Sequence, residues 1–322
     1  MNVLITGADG FAGTWLAREL LGAGHRVGGT TLREGVPADT LLSASERAAI
    51  EWRRMELGDP EQIRRALAPH PGQPWDGIVH LAGIAWSRDA ADHPGQTQDI
   101  NVRGTARVIA AAAVLRRDGI ADPVVINASS AEVYGMGQGQ RARSELDPPA
   151  PLSPYAVSKL EAEQEADQVA AQSGLHLIHA RLFPHIGPGQ RPVFVVPALL
   201  GRLREARNSG AAEIPTGDLS PVRDFLDVRD VASAYRSLLE RGAAPGVYNV
   251  ASGIGRTLQS VFDRLAELVG ARARARYDAG LGRPWDLPHL VGDAAKLRQA
   301  TGWSPRLSFE QTLTDLVHAE AH

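Results

Sequence analysis

The chain has 322 residues, 43% of them hydrophobic, enough for the core of one large domain or two smaller ones, which excludes a disordered class. Lys and Arg total 34 against 37 Asp and Glu, a net charge of -3, so no basic field exists to hold nucleic acid by its phosphates. Cysteine is absent, which removes disulfide scaffolds, thiolate nucleophiles and cysteine-based metal sites together.

The chain opens into Met1-Asn2-Val3-Leu4-Ile5-Thr6 with no basic start, long apolar stretch or cleavage site, so a cytoplasmic location is expected. No run approaches the roughly 20 apolar residues of a membrane-spanning helix. Strand-like runs follow in order: Val3 to Thr6, His25 to Thr30, Trp52 to Leu57, Gly77 to Leu81, Val124 to Ala128 and Leu175 to Arg181. Between them Phe11 to Leu21, Glu61 to Leu67, Asp99 to Leu115 and Tyr155 to Ala171 carry Ala, Leu, Glu and Arg at helical spacing. That alternation predicts an α/β fold, a Rossmann-like doubly wound parallel sheet. After Arg181 the pattern changes to a Pro- and Gly-rich stretch, then helices over Val196 to Arg207, Val228 to Glu240 and Leu258 to Val269. Residues 1–181, rejoined by about 223–250, are expected to form the main domain. Residues 182–222 and 251–322 are expected to form a smaller C-terminal α/β substrate-binding lobe. Arg272, Arg274 and Arg276 alternate as on an exposed strand and read as a solvated edge.

Thr6-Gly7-Ala8-Asp9-Gly10-Phe11-Ala12-Gly13 follows the first strand and opens the first helix, the context in which spaced glycines mark a dinucleotide site. Gly7 permits the tight turn, Gly10 lets backbone N–H groups approach a pyrophosphate, and Gly13 allows close helix packing, with Asp9 and Phe11 in the same turn. An NAD site usually carries a carboxylate about 20 residues further on for the ribose 2'-hydroxyl. Here the second strand ends Gly29-Thr30-Thr31-Leu32-Arg33, so Thr30 and Arg33 suit a 2'-phosphate, which favours NADP(H), with NAD(H) the alternative. Glu56 and Leu57 end the third strand where an adenine edge would lie. Leu81, Ala82 and Gly83 end the fourth beside the cofactor.

Tyr155-Ala156-Val157-Ser158-Lys159 begins a helix, and the i, i+4 spacing sets phenol and ammonium on one face. A neighbouring ammonium is expected to lower the Tyr155 pKa so that the phenol exchanges a proton with substrate. Asn127-Ala128-Ser129-Ser130 ends the fifth strand, so the Ser129 and Ser130 hydroxyls open onto the same crevice at the carboxyl ends of the strands. Ser130 is the third catalytic candidate.

The glycine motif, the Ser130 segment and Ser153-Pro154-Tyr155-Ala156-Val157-Ser158-Lys159 together resemble the extended short-chain dehydrogenase/reductase superfamily of nucleotide-sugar epimerases, dehydratases and reductases. More narrowly, Arg181-Leu182-Phe183-Pro184-His185-Ile186-Gly187-Pro188-Gly189-Gln190, Arg223-Asp224-Phe225-Leu226-Asp227-Val228-Arg229-Asp230 and Gly292-Asp293-Ala294-Ala295-Lys296-Leu297 are similar to the GDP-4-keto-6-deoxy-D-mannose reductases. The resemblance implies reduction of GDP-4-keto-6-deoxy-D-mannose to GDP-D-rhamnose with NADPH or NADH, by a homodimer paired through the helices at Asp99 and Tyr155. It implies Arg223 and Arg283 on the nucleotide diphosphate, Phe194 and Val195 near the base, and Pro184, His185 and Gln190 in the substrate loop. It places Asn101 beside the helix of Lys159. Pro184 stands where the family pattern has Asn, and Trp285 where a smaller residue is usual. Glu132 occupies the place of the acid that serves dehydratases as C5 base, which keeps a dehydratase or epimerase with tightly held cofactor as the alternative. A non-catalytic dinucleotide sensor is the remote one. Neither a metal, a membrane nor a nucleic acid is expected as a partner.

Overall fold

The computed structural model describes residues 1–38, 40–137, 139–282 and 285–319. Seven strands build the central sheet: β1 (Asn2–Thr6), β2 (Arg26–Thr31), β3 (Ile50–Arg54), β4 (Gly77–His80), β5 (Val124–Ser130), β6 (Leu177–Leu182) and β7 (Gly246–Val250). Their order is β7-β6-β5-β4-β1-β2-β3, with every neighbouring pair parallel. The order reverses between β1 and β4, and in an open parallel sheet ligands bind at that switch point, outside the carboxyl ends of the strands.

Because the sheet is covered on both faces, its central strands β1 and β4 are buried along nearly their whole length rather than at alternate residues. One face packs Val3, Ile5, Ile126, Ile178 and Val250 against the helices Phe11–Gly22 (α1) and Val228–Glu240. The other packs Leu4, Ile78, Val125 and Leu177 against Pro60–Leu67, Thr105–Arg117 and Pro154–Ser173. A third core lies away from the sheet, where Val196, Leu200 and Leu203 of Val195–Ser209 meet Val261 and Leu265 of Leu258–Val269 and Leu313 of Phe309–His318. Leu290, Leu297 and Trp303, from the C-terminal stretch, instead pack into the first core.

Short strands join these parts. His185–Ile186 pairs in parallel with Leu226–Asp227, and Val222–Asp224 lies between Gly255–Thr257 and His289–Leu290. Asp224 is fully buried and accepts from the N–H groups of Ser252 (3.0 Å), Gly253 (2.8 Å) and Gly292 (3.1 Å), which staples two other segments to one carboxylate. The Arg274–Tyr277 strand pairs with Glu213–Thr216, and Arg272, Arg274 and Arg276 are exposed.

Two expectations shift. The third strand runs over Ile50–Arg54 rather than through Leu57, since Met55 and Leu57 turn into the core above the sheet edge. The helix expected from Asp99 begins as a wider π-helical turn over Gln98–Gly104 and becomes α-helical only at Thr105–Arg117.

A buried ion pair fixes the helix Pro154–Ser173 to β6. Arg181 and Glu163, 5% and 3% exposed, meet through Nε–Oε1 at 3.0 Å and Nη2–Oε2 at 2.7 Å, and the guanidinium also lies 4.8 Å from the Tyr134 ring centroid. Removing one buried partner strands the other charge. Glu163→Gln is therefore expected to cost about 3–5 kcal/mol in urea unfolding, and the double change Glu163→Leu, Arg181→Met to recover most of it. Additive losses in the two single variants would show that the pair contributes nothing as a pair.

Candidate active site

The glycine turn depends on absent side chains. Gly7 has φ +68°, and a Cβ on it would lie 3.0 Å from Ala82 Cα. A Cβ on Gly13 would fall 2.2 Å from the Gly7 carbonyl oxygen, so α1 can rest on the turn only with glycine there. Gly10 precedes α1 and gives it no side-chain cap, which leaves the positive end of the helix directed at a ligand.

The hydroxyls after β2 are already engaged. Thr30 Oγ1 accepts from the Gly7 N–H at 3.1 Å, while Thr31 Oγ1 donates to Asp9 at 2.6 Å and accepts from the Arg33 N–H at 3.1 Å. Both threonines are buried, so they brace the glycine turn, and the exposed Arg33 is the group of this set at the surface. Glu56 is exposed, and the buried Leu57 presents its carbonyl to Arg107 at 2.9 Å. Leu81 and Ala82 donate their N–H groups to Thr6 Oγ1 at 3.1 and 3.2 Å, which closes the strand ends beside Gly83.

Ser153 caps the helix Pro154–Ser173 by accepting from Ala156 N–H at 3.0 Å, and Pro154 fits its first turn. Tyr155 and Lys159 thereby stand one turn apart over the end of β5. Ser130, 8% exposed, hydrogen-bonds the Tyr155 phenol, whereas the buried Ser129 points to the opposite face of the sheet and its hydroxyl has no partner among the described residues. The expected effect of Lys159 on Tyr155 is not what the geometry gives. Burial and the nearby Glu132 carboxylate push the phenol well above its ordinary range, with the Ser130 bond opposing them. Lys159 Nζ donates to the Ala128 carbonyl at 2.9 Å and lies 5.9 Å from the phenol ring centroid, so its charge is directed at the strand end rather than the hydroxyl. Burial lowers the Lys159 pKa to about 8, against an opposing pull from Glu163.

Glu132 accepts from Ser153 Oγ at 3.3 Å and from Ser87 Oγ at 3.5 Å, which sets its carboxylate beside Tyr155. Ser87 is a member of the site that the sequence motifs do not include, and Ser153, which opens the Tyr155 motif, gains its contact to Glu132 only once the chain is folded. Asn101 donates to the carbonyl of Ile84 (3.0 Å) and to Ser158 Oγ (3.1 Å), and accepts from the Ile84 N–H (2.8 Å), beside the helix of Lys159.

The Pro184–Gln190 loop is strapped to α1. His185 stacks on Phe11 with ring centroids 6.0 Å apart and donates from Nδ1 to the Phe183 carbonyl at 3.2 Å, and Trp15 Nε1 donates to Pro188 O at 3.1 Å. Pro184 O accepts from Leu226 N–H at 2.9 Å, and Gln190 Nε2 donates to His185 O at 2.9 Å. Phe194 and Val195 are half-buried at the start of Val195–Ser209. Arg223 donates to the carbonyls of Val222 (2.9 Å) and Leu287 (2.5 Å) and pairs with Asp286. Arg283 lies outside the described residues.

A glycine turn at the switch point, with a serine, a tyrosine and a lysine at the end of the next strand, defines an enzyme of the extended short-chain dehydrogenase/reductase superfamily. The sequence profile of the GDP-mannose 4,6 dehydratase family matches residues 4–316, and the chain belongs to that family. It is 34% identical to the GDP-6-deoxy-D-mannose reductase of Pseudomonas aeruginosa over 82% of this chain and 85% of that one. Among solved structures, the Pseudomonas aeruginosa RMD complexed with NADPH superposes with a TM-score of 0.81 at 30% identity, covering 98% of this chain and 97% of that one. A Thermus thermophilus UDP-glucose 4-epimerase complexed with NAD gives 0.82 at 27%, covering 98% of both. No helix among the described residues is long and apolar enough to cross a membrane, and no described cluster of His, Asp or Glu fits a metal ion.

The chain has two lysines, Lys159 and Lys296. Lysine Cε resonances should therefore include one, lost in Lys159→Arg, that titrates near pH 8 rather than above 10, because burial disfavours the charged form. A Lys159 signal that titrates above 10 contradicts the buried placement.

Proposed function

We propose that the enzyme reduces the 4-keto group of a nucleotide-activated 4-keto-6-deoxy sugar, GDP-4-keto-6-deoxy-D-mannose to GDP-D-rhamnose. The observation that carries this reading is the buried Tyr155 phenol, hydrogen-bonded to Ser130 beside the glycine turn. The reductase relative supports the choice of sugar, and the separate third core, built by Val195–Ser209, Leu258–Val269 and Phe309–His318, supports a sugar-binding lobe within residues 182–222 and 251–322, although Leu290, Leu297 and Trp303 pack with the sheet.

The chemistry supplied by a bound reduced nicotinamide is hydride transfer to the sugar carbonyl carbon. This chain's residues handle the proton. A phenol held above its ordinary pKa stays protonated at neutral pH and passes its proton to the alkoxide oxygen as charge develops there. Ser130 orients the phenol, and Lys159 takes the nicotinamide ribose while keeping a positive charge at the end of β5. Arg223 and Arg283 serve the diphosphate, Phe194 and Val195 the base, and His185 and Gln190 hold the sugar loop. The exposed Arg33 favours NADP(H) over NAD(H). The location is cytoplasmic and the assembly a homodimer, formed through the helices Thr105–Arg117 and Pro154–Ser173, where Val114 and Val157 are exposed.

One observation favours a second reading. Glu132 lies close enough to Tyr155 to raise its pKa and accepts from two serines, an arrangement that suits the C5 base of a dehydratase. Two variants separate the readings. Tyr155→Phe should lower kcat on the 4-keto sugar by about 100- to 10,000-fold with little change in NADPH affinity, whereas Glu132→Gln should keep it within about tenfold. Near-parental turnover in Tyr155→Phe sinks the assignment, and loss of a dehydration activity in Glu132→Gln moves the enzyme to the second reading. In a fluorescence titration NADPH should bind more tightly than NADH; equal or reversed affinities remove the role given to Arg33.

A further inference from the structure

The helix Pro154–Ser173 meets the sheet through one row of polar side chains. Tyr155, Lys159, Glu163 and Asp167 follow one another at i, i+4 and so share one face of the helix. Each has its own anchor. Ser130 hydrogen-bonds Tyr155, Lys159 Nζ donates to Ala128 O at 2.9 Å, Glu163 takes Arg181 through both oxygens, and Asp167 Oδ1 accepts from His179 Nε2 at 3.0 Å. The parallel pairing of β5 with β6 sets Ala128 beside Ala180 and Ser129 beside Arg181. The ammonium and the carboxylate are therefore fixed over neighbouring strands, one residue apart in register.

The hydrogen bond that Lys159 makes among the described residues goes to a neutral carbonyl, so a charged partner has to act from a distance. Glu163 is one helical turn away, a spacing that puts Cβ atoms about 6 Å apart. It is 3% exposed, so little water screens it, and the bidentate Arg181 keeps it ionised and in place. The other charged groups on the elements around this helix are committed elsewhere. His80 on β4 is neutral, Glu132 is held by Ser87 and Ser153 beside Tyr155, and Arg181 is turned to Glu163. Asp99 of the π-helical turn pairs with Arg107 at 3.2 Å, and Asp89 of the helix Ser87–Asp92 pairs with His93 at 3.4 Å. The neutral Asn101 completes the surroundings: a Cβ on Gly83 would lie 2.9 Å from Asn101 Oδ1 and 4.0 Å from Lys159 Nζ.

We propose that Glu163 is a positioning residue for the reaction, whose carboxylate, fixed by Arg181, keeps Lys159 charged and directed at the end of β5. This rests on the role given to Lys159 above. A carboxylate nearby favours the ammonium, so its removal lets Lys159 lose its proton at a lower pH than the parent's value of about 8. The alkaline limb of turnover moves down with it.

The test follows the Lys159 Cε resonance through a pH titration of the full chain. Glu163→Gln should lower the midpoint by about one unit or more, while Asp167→Asn, which loosens the same helix face one turn on, should leave it unmoved. In Glu163→Gln the ratio of kcat/KM at about pH 6 to that at about pH 9 should rise about tenfold, whereas a merely loosened fold lowers both alike. If Glu163→Gln does not fold, the double change Glu163→Leu, Arg181→Met, which strands no charge, should also lower the midpoint, by less because the guanidinium goes too. A parental midpoint in the variant that folds, a parental pH ratio, or an equal shift in Asp167→Asn overturns the role. A lowered midpoint in an enzyme that reduces no 4-keto sugar at any pH leaves the hold of Glu163 on Lys159 standing and removes the reductase reading.

Discussion

One neutral imidazole ties the cofactor half of the sheet to the catalytic helix. Thr6 Oγ1 already accepts from Leu81 and Ala82, so its proton goes to His80 Nδ1 at 2.7 Å. His80 then donates from Nε2 to Thr105 Oγ1 at 3.1 Å, and Thr105 donates to the Asn101 carbonyl at 2.6 Å. Only an uncharged ring can accept at one end and donate at the other. Burial, with the Lys159 charge adding to it, lowers the His80 pKa to about 3 and guarantees that form. Asn101, placed by this chain, holds Ile84 on one side and Ser158 on the other. The glycine turn, the end of β4 and the helix of Tyr155 and Lys159 are thus set in one register.

Much of this was legible in the sequence because it rests on short-range rules. The spaced glycines, the apolar runs and the Tyr155–Lys159 spacing each encode a local geometry that survives folding: close approach at Gly13, buried strands, one helix face. What was not legible depends on partners distant in the chain. Thr30 and Thr31 look available at a strand end, yet Gly7 and Asp9 claim their hydroxyls. Lys159 looks paired with Tyr155 by spacing, yet its ammonium finds the Ala128 carbonyl, and the phenol's proton affinity is set by burial and Glu132. The wide turn at Gln98–Gly104 breaks a pattern that reads as one continuous helix.

That reversal at Tyr155 bears on the chemistry. A phenol poised as a base needs a lowered pKa, while one that must donate a proton to a nascent alkoxide benefits from staying protonated. Its surroundings, burial with a carboxylate nearby, hold the phenol in the protonated form that the donor role uses. Glu132 is the residue on which the readings part, a dispensable electrostatic neighbour of the donor in one and the base in the other.

The central claim is net reduction at the sugar C4. The direct measurement is incubation with GDP-4-keto-6-deoxy-D-mannose and NADPH deuterated at the transferable position of nicotinamide C4, followed by NMR of the product and an NADP⁺ count. The account predicts deuterium at C4 of a GDP-6-deoxyhexose with one NADP⁺ formed per sugar. A product without deuterium, formed with no net consumption of NADPH, would contradict it and make the enzyme an epimerase or dehydratase.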